Sequence, residues 1–364
     1  MKRLEPTANI TVVGTKVGLE YRLVPEAGFE LFTIDKVPFP RSINASTFTF
    51  PFRWLKQIRS LRAMLQQKQV DVVVGFGGYT AAPVYSAAHR EGVPIVVHEQ
   101  NARAGLANKL GARWADYIGT AFDNCGLQSK HAPVERVGLP LRPAVSAMCE
   151  RMQPENRSSN RIQACQELGL DPTRPIVVVT GGSLGAVNIN RAMAYASKDL
   201  LTTAQVVHLT GRGKDEEVRA IVSEVVGEQV INDLNPLNFG KGDYHIAPYF
   251  ERIDLAFACA DLVICRAGAG TVCELSALGV PAIYVPLPIG NGEQRFNAQP
   301  VVDADGGILV QDSEFTKDWI VKHCLPLLAN NQALEHMREQ AWKYGIRDAA
   351  LIMAKHVLEI ARKE

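Results

Sequence analysis

No stretch of the 364-residue chain carries the roughly 18 consecutive apolar residues that a membrane-crossing helix needs, and its first ten residues, MKRLEPTANI, lack the apolar core of a secretory signal. A membrane-spanning protein, or one exported by that route, is not expected. The seven cysteines (Cys125, Cys149, Cys165, Cys259, Cys265, Cys273 and Cys324) include no C-x-x-C pair, and several fall in apolar segments. Reduced, buried thiols in a cytoplasmic protein are the expectation. Neither G-x-x-x-x-G-K-[ST] nor a complete G-x-G-x-x-G occurs, which argues against a P-loop NTPase and a dinucleotide oxidoreductase. The net charge of only +1 offers no global attraction to nucleic acid or membrane, so an electrostatic partner must meet a local patch. Short-period repeats and low-complexity segments are missing as well.

What is present is a duplication. From Asp71 the chain reads DVVVGFGGYTAAPVYSAAHREGVPIVVHEQN, and from Asp261 it reads DLVICRAGAGTVCELSALGVPAIYVPLPIGNGEQRFN. Each is an apolar strand, a Gly-rich turn, a helix of small residues, a Gly-Val-Pro break and a second apolar strand, which is the order of a βαβ unit. A Gly-rich turn between strand and helix presents backbone N–H groups at the positive end of the helix dipole, where doubly wound sheets bind phosphates and sugars. Two such halves suggest a ligand held between them.

With 47% hydrophobic and 21% charged residues the chain can bury two cores of ordinary domain size. Strands are predicted at 9–13, 30–34, 70–75, 94–98 and 134–138, and in a second series at 176–180, 205–210, 243–247, 261–265, 282–285 and 307–310. The polar, proline-bearing stretch 146–175 is expected to hold the domain connection, and the tail from 318 onward to be helical throughout.

Chemistry concentrates at strand ends. Thr180 to Ala186, TGGSLGA, follows the strand IVVV, and its glycines with the Ser183 hydroxyl suit a diphosphate, though a bare connecting turn would look alike. Arg266 to Glu274, RAGAGTVCE, places Glu274 one turn into a helix, where a carboxylate can accept from two ribose hydroxyls; a dipole-compensating Glu is the plainer alternative. Glu293, Gln294 and Asn297 after the next strand form a polar cluster suited to sugar hydroxyls, or a solvated loop. Asp303 and Asp305 have a D-x-D spacing that could hold a metal, but a solvated turn before Gly306 is preferred. Between Asp35 and Asp71 there is no acidic residue, while basic Arg53 and Lys56 interleave with Phe48, Phe50, Phe52, Trp54 and Leu55. Such a surface suits anionic lipid headgroups; the alternative is a helix packing Leu55, Ile58, Leu61 and Leu65 inward.

GGY (Gly77, Gly78, Tyr79), HEQN (His98 to Asn101), GLPLR (Gly138 to Arg142), GGSLGA, RAGAGTVCE and EQRFNA (Glu293 to Ala298) occur in the order of the MurG family, which the chain resembles from about residue 9 to its end. That resemblance implies a GT-B fold: two Rossmann-like, doubly wound α/β domains with parallel sheets, facing across a cleft. It implies an acceptor-binding domain at 1–142 plus about 345–364, and a UDP-sugar-binding domain at 143–344. The implied activity is inverting transfer of N-acetylglucosamine from UDP-N-acetylglucosamine to the 4-hydroxyl of the muramyl unit of lipid I, without metal or other cofactor. It also implies a peripheral location on the cytoplasmic face of the membrane, contact with anionic lipids through Phe50, Arg53, Trp54 and Lys56, and cell-wall and division proteins as partners.

Carried over by position, Glu274 would hold the ribose, Ser183 and Arg142 would face the diphosphate, and backbone near Tyr249 and Phe250 would recognise uracil. Glu293 and Gln294 would read the sugar, with Asn101, Arg266, Thr271 and Asn297 completing the donor site; Gly77, Gly78 and Tyr79 would meet the acceptor diphosphate. Glu293 and Leu139 stand where the family usually has Gln and Asn. The family opens with a strand and a G-G-T-G-G-H loop carrying the favoured general base. Met1 to Glu5 resembles the end of the helix after that loop, so about one βα unit of ~30 residues is expected to be missing through a start-site error. His98 and Glu99 are weak substitutes for the base. A UDP-N-acetylglucosamine epimerase and a non-catalytic UDP-sugar-binding remnant are the rival readings.

Overall fold

The computed structural model describes residues 1–36, 45–182, 186–234, 242–288 and 292–362, with the backbone alone over 45–49. The chain divides into two compact units, Met1–Val137 with Ala349–Glu364, and Gly138–Asp348.

In the first unit β1 (Thr11–Gly14) pairs with β2 (Glu30–Thr33), and β3 (Val73–Gly75), β4 (Ile95–Glu99), β5 (Tyr117–Thr120) and β6 (Val134–Arg136) form a second parallel sheet in that order. Among the described residues no strand joins the two sheets. The helix Ala45–Gln67 covers one face through Ile58, Leu61, Met64 and Leu65, packed with Val73, Tyr85 and Ile95. The other face is covered by the last helix, Ala349–Ala361, whose Met353 and Val357 pack on Val96, Tyr117 and Val137. Side-chain room is tight there, since a Cβ on Gly119 would lie 2.5 Å from the Met353 sulfur. Leu55, counted both with the basic, aromatic surface and with the inward-packing alternative, is exposed and falls outside the buried stripe of Ile58, Leu61 and Leu65.

The second unit is one seven-stranded parallel sheet made of β7 (Ile176–Thr180), β8 (Gln205–Leu209), β9 (Ile231–Asp233), β10 (Tyr244–Ala247), β11 (Leu262–Cys265), β12 (Ala282–Tyr284) and β13 (Gly307–Leu309). Their order is β13-β12-β11-β7-β8-β10-β9. The central strands are buried on both faces, which is why they read as unbroken Val/Ile/Leu runs. After β7 the chain builds outward through β8 and then returns to lay β11 on β7's other side, so the winding reverses between β7 and β11.

Both duplicated segments are parallel βαβ units, β3–helix Gly78–Glu91–β4 and β11–helix Ala269–Leu278–β12. Each helix ends on a left-handed glycine, Gly92 (φ 71°) and Gly279 (φ 63°), before the Val-Pro that starts the next strand. The stretch 146–175 is no loose connection, because two helices, Pro143–Arg151 and Arg157–Leu168, occupy most of it inside the second unit. Nor is the tail one helix: Lys317–Leu328, Asn331–Tyr344 and Ala349–Ala361 are separated where Asn330 caps Ala333 and around 345–348. Strands β5 and β9 were not predicted, being four and three residues long with a glycine or polar residues in them.

Candidate functional site

In the second unit the strand ends are in register: Thr180 pairs with Leu209 and Cys265, Leu209 with Ala247, and Cys265 with Tyr284. All the loops that follow therefore leave the same edge of the sheet. TGGSLGA follows β7 and RAGAGTVCE follows β11, so the two Gly-rich turns flank the winding reversal, the position where open α/β sheets bind ligands. Gly182 takes φ 77° and donates its N–H to the Thr180 hydroxyl at 3.2 Å; Ser183 lies outside the described residues. The helix Ala269–Leu278 starts at Gly268 in extended backbone with no side-chain cap, so its first-turn N–H groups stay open to an anion.

Glu274 is only 5% exposed. Its carboxylate accepts from Arg142 in a bidentate pair, Nε to Oε1 at 2.6 Å and Nη2 to Oε2. Hydrogen bonding to Glu274 pushes the Arg142 guanidinium up from its ordinary value. The Arg142 side chain is 56% exposed, so one partner is fixed in the fold and the other opens to solvent. A ligand hydroxyl can take Arg142's place on the carboxylate while the guanidinium turns to a phosphate.

Around this pair Tyr249 is exposed and carries the Arg212 guanidinium 5.0 Å from its ring centre, with Phe250 half-buried beside it. Thr271 lies in the first turn after Gly268. Gln294 accepts from the Leu287 N–H at 2.9 Å, and Asn297, buried, donates to the Ala267 carbonyl at 3.4 Å. These two amides tie the loop after β12 and the turn after β11 to the helix Glu293–Asp303, at whose start Glu293 is exposed. Arg266 holds the framework, donating to the Val285 (3.1 Å) and Pro286 (3.2 Å) carbonyls and to Asp312. Thr210 to Asp215, TGRGKD, leaves the same sheet edge after β8 and was not among the predicted site segments. Its signal was visible as another Gly-rich turn after an apolar strand, with Gly211 and Gly213 both at positive φ.

In the first unit Gly77 (φ 84°) and Gly78 (φ 80°) open the helix Gly78–Glu91, a conformation that side chains resist. Tyr79 is exposed with Lys36 Nζ 5.3 Å from its ring, beside a pocket of about 230 Å³ that Thr15, Glu20 and Thr80 also line. The two substitute bases are placed differently. His98 is wholly buried, its ring against Phe76. Glu99 is 3% exposed and accepts from the Asn101 N–H (3.0 Å), the Gly105 N–H (3.1 Å) and Asn108 Nδ2 (2.9 Å). Tyr85 extends that network by donating to Asn108 at 2.8 Å. On the helix Ala45–Gln67, Phe50 and Trp54 stack at 5.5 Å, with Trp54 packed on the core; Arg53 donates to the Lys36 carbonyl at 3.3 Å and Lys56 is exposed. Phe52 (77% exposed) and Leu55 (44%) are outward apolar groups among the helix's described side chains. No helix among the described residues is long and apolar enough to cross a membrane.

Residues 1–120 match the glycosyltransferase family 28 N-terminal domain, and residues 176–352 match that family's C-terminal domain. The UDP-N-acetylglucosamine--N-acetylmuramyl-(pentapeptide) pyrophosphoryl-undecaprenol N-acetylglucosamine transferase of Bifidobacterium adolescentis is 61% identical over 361 residues, 99% of this chain and 92% of that protein. The same-named protein of Bifidobacterium longum is 58% identical over 362 residues, with the same coverage. The crystal structure of Acinetobacter baumannii MurG is similar with a TM-score of 0.76 and 27% identity, covering 98% of this chain and 93% of that one. A UDP-GlcNAc 2-epimerase from Neisseria meningitidis shares the fold at 15% identity and a TM-score of 0.63. With both family 28 domains matched and these relatives covering nearly the whole chain, the chain belongs to the MurG family of GT-B glycosyltransferases.

Proposed function

We propose that this protein transfers N-acetylglucosamine from UDP-N-acetylglucosamine to the 4-hydroxyl of the muramyl unit of lipid I, inverting the anomeric carbon and forming lipid II. The observation that carries the reading is the 61% identity over 99% of the chain to a transferase named for that donor and acceptor. In the second unit, Glu274 would hold the ribose hydroxyls once Arg142 leaves it for the diphosphate. The open N–H groups at the start of the helix Ala269–Leu278 would stabilise the charge on departing UDP. Ser183 would add a hydroxyl there, backbone at Tyr249 and Phe250 would read uracil, and Glu293 and Gln294 the sugar. Asn297 and Arg266 would act by holding the surrounding loops, with Thr271 at the helix start supplying a further donor contact.

In the first unit, Gly77, Gly78 and Tyr79 are read as the acceptor diphosphate site. His98 and Glu99 are read as framework, since a base must reach the hydroxyl it deprotonates and both are enclosed. The exposed Phe52 and Leu55, with Arg53 and Lys56 beside them, support a peripheral seat on the anionic cytoplasmic leaflet; Phe50 and Trp54 brace that turn of helix. Cell-wall and division proteins are further partners in this reading.

The test is UDP release from UDP-N-acetylglucosamine with and without a lipid I analogue. Release that requires the acceptor, with formation of the disaccharide lipid, is expected. Donor consumption without acceptor would favour an epimerase, and UDP binding without turnover a non-catalytic remnant.

A further inference from the structure

A groove of about 430 Å³ lies in the second unit between the start of the helix Arg157–Leu168 and the helix Asn331–Tyr344, lined by Arg157, Arg161, Arg338, Lys343, Ser158 and Trp342. Most of its charges are matched. Arg161 pairs with Asp261 at 2.6 Å, Arg338 with Glu335 at 3.2 Å and Asp261 at 3.7 Å, and Lys343 with Glu339 at 3.9 Å. Arg157 is the exception. It is 91% buried (9% exposed), its Nε and Nη2 have no hydrogen-bond partner, and its guanidinium sits 5.2 Å from the Trp342 ring centre. Burial, and next the neighbouring Arg338 charge, pull it down to about 10.

A buried guanidinium without a counterion is costly unless something supplies one. The ring face of Trp342 offsets part of that cost but brings no negative charge. The same groove receives the start of a twelve-residue helix whose N-cap, Asn156, makes no side-chain cap, so the first-turn N–H groups are open there, next to the exposed Ser158 hydroxyl. The two carboxylates on the rim, Glu335 and Glu339, are each matched by a cation of their own helix. One positive charge is thus left over, among donors and without an acceptor.

We infer that this groove binds a phosphate-type oxyanion, held by the Arg157 guanidinium, the Ser158 hydroxyl and the helix N-terminus. It is built from other residues than those of the Arg142–Glu274 site. Beside Trp342 and Pro154 its lining carries four cations and two carboxylates, which favours a free anion over a lipid.

Isothermal titration of the whole chain with inorganic phosphate at fixed ionic strength tests it, repeated on Arg157→Gln, Ser158→Glu and Arg142→Gln. Loss of a charge-assisted hydrogen bond should weaken phosphate binding about tenfold or more in the first two. The Arg142→Gln chain should retain the binding that Arg157→Gln and Ser158→Glu remove, whatever it loses at the donor site. If Arg157→Gln fails to fold, Ser158→Glu still decides, because Ser158 is exposed and its replacement places a carboxylate in the groove. No phosphate binding by the wild type, or binding lost only in Arg142→Gln, would overturn the inference. Co-sedimentation with phosphatidylglycerol vesicles that Ser158→Glu abolishes would keep the oxyanion site and make a lipid headgroup its source.

Discussion

The Gly-rich turns of the two units are written on one plan, yet the carboxylates near them are in opposite situations. Glu99 accepts three N–H groups from its own neighbourhood, all fixed by the fold. Glu274 is just as buried, but its partner is a guanidinium that is more than half exposed. A carboxylate satisfied by backbone is part of the framework. One satisfied by a solvent-facing side chain can exchange partners when a ligand arrives, and burial alone does not separate the two cases.

Breaking the first arrangement should have the largest effect on stability. Glu99→Ala leaves two backbone N–H groups and an amide inside the protein without their acceptor, and should cost about 3 to 4 kcal/mol. Denaturant unfolding followed through the first unit would show it; a loss below 1 kcal/mol would mean that Glu99 is not framework.

The second unit should lose stability in acid. His208 is buried between Tyr244 (2.8 Å) and Asn190 (3.1 Å), and burial pushes it down to about 3; His245 is pushed down to about 4 by the same cause. The unfolded chain takes up protons that these folded imidazoles refuse, so their stability is present above about pH 6.5 and is lost progressively as pH falls toward 3 to 4. Between pH 6.5 and 5 each histidine should cost about 2 kcal/mol. Unfolding midpoints measured across that range check it, and a flat profile would contradict the burial of both rings.

The smallest effect concerns the outer face of the helix Ala45–Gln67. Phe52→Ser and Leu55→Ser should each weaken salt-sensitive binding to anionic vesicles by roughly 1 to 2 kcal/mol without lowering stability. Unchanged vesicle binding by the double variant would remove this face from the membrane reading.

Much of the fold was legible because the strands of a two-sided parallel sheet must be apolar throughout, as IVVV before Thr180 and LVIC before Arg266 show. Short edge or interrupted strands such as YIGT and IND lack that signal. The site was visible as Gly-rich turns at strand ends. Its wiring was not, because Arg142 and Glu274 are 132 residues apart, and Asn108, which helps bind Glu99 into the framework, carries no motif. Whether Leu55 belonged to the outer surface or to the inward stripe was left open, because a run of apolar residues at helical spacing does not say where the buried stripe ends.

The central claim is that Glu274 is the donor-site carboxylate and Glu99 is not. UDP affinity and thermal midpoint, measured together on Glu274→Gln and Glu99→Gln, test it most directly. Glu274→Gln should weaken UDP binding about 10- to 100-fold with little change in midpoint, while Glu99→Gln should lower the midpoint and bind UDP normally. Wild-type UDP affinity in Glu274→Gln would contradict the account.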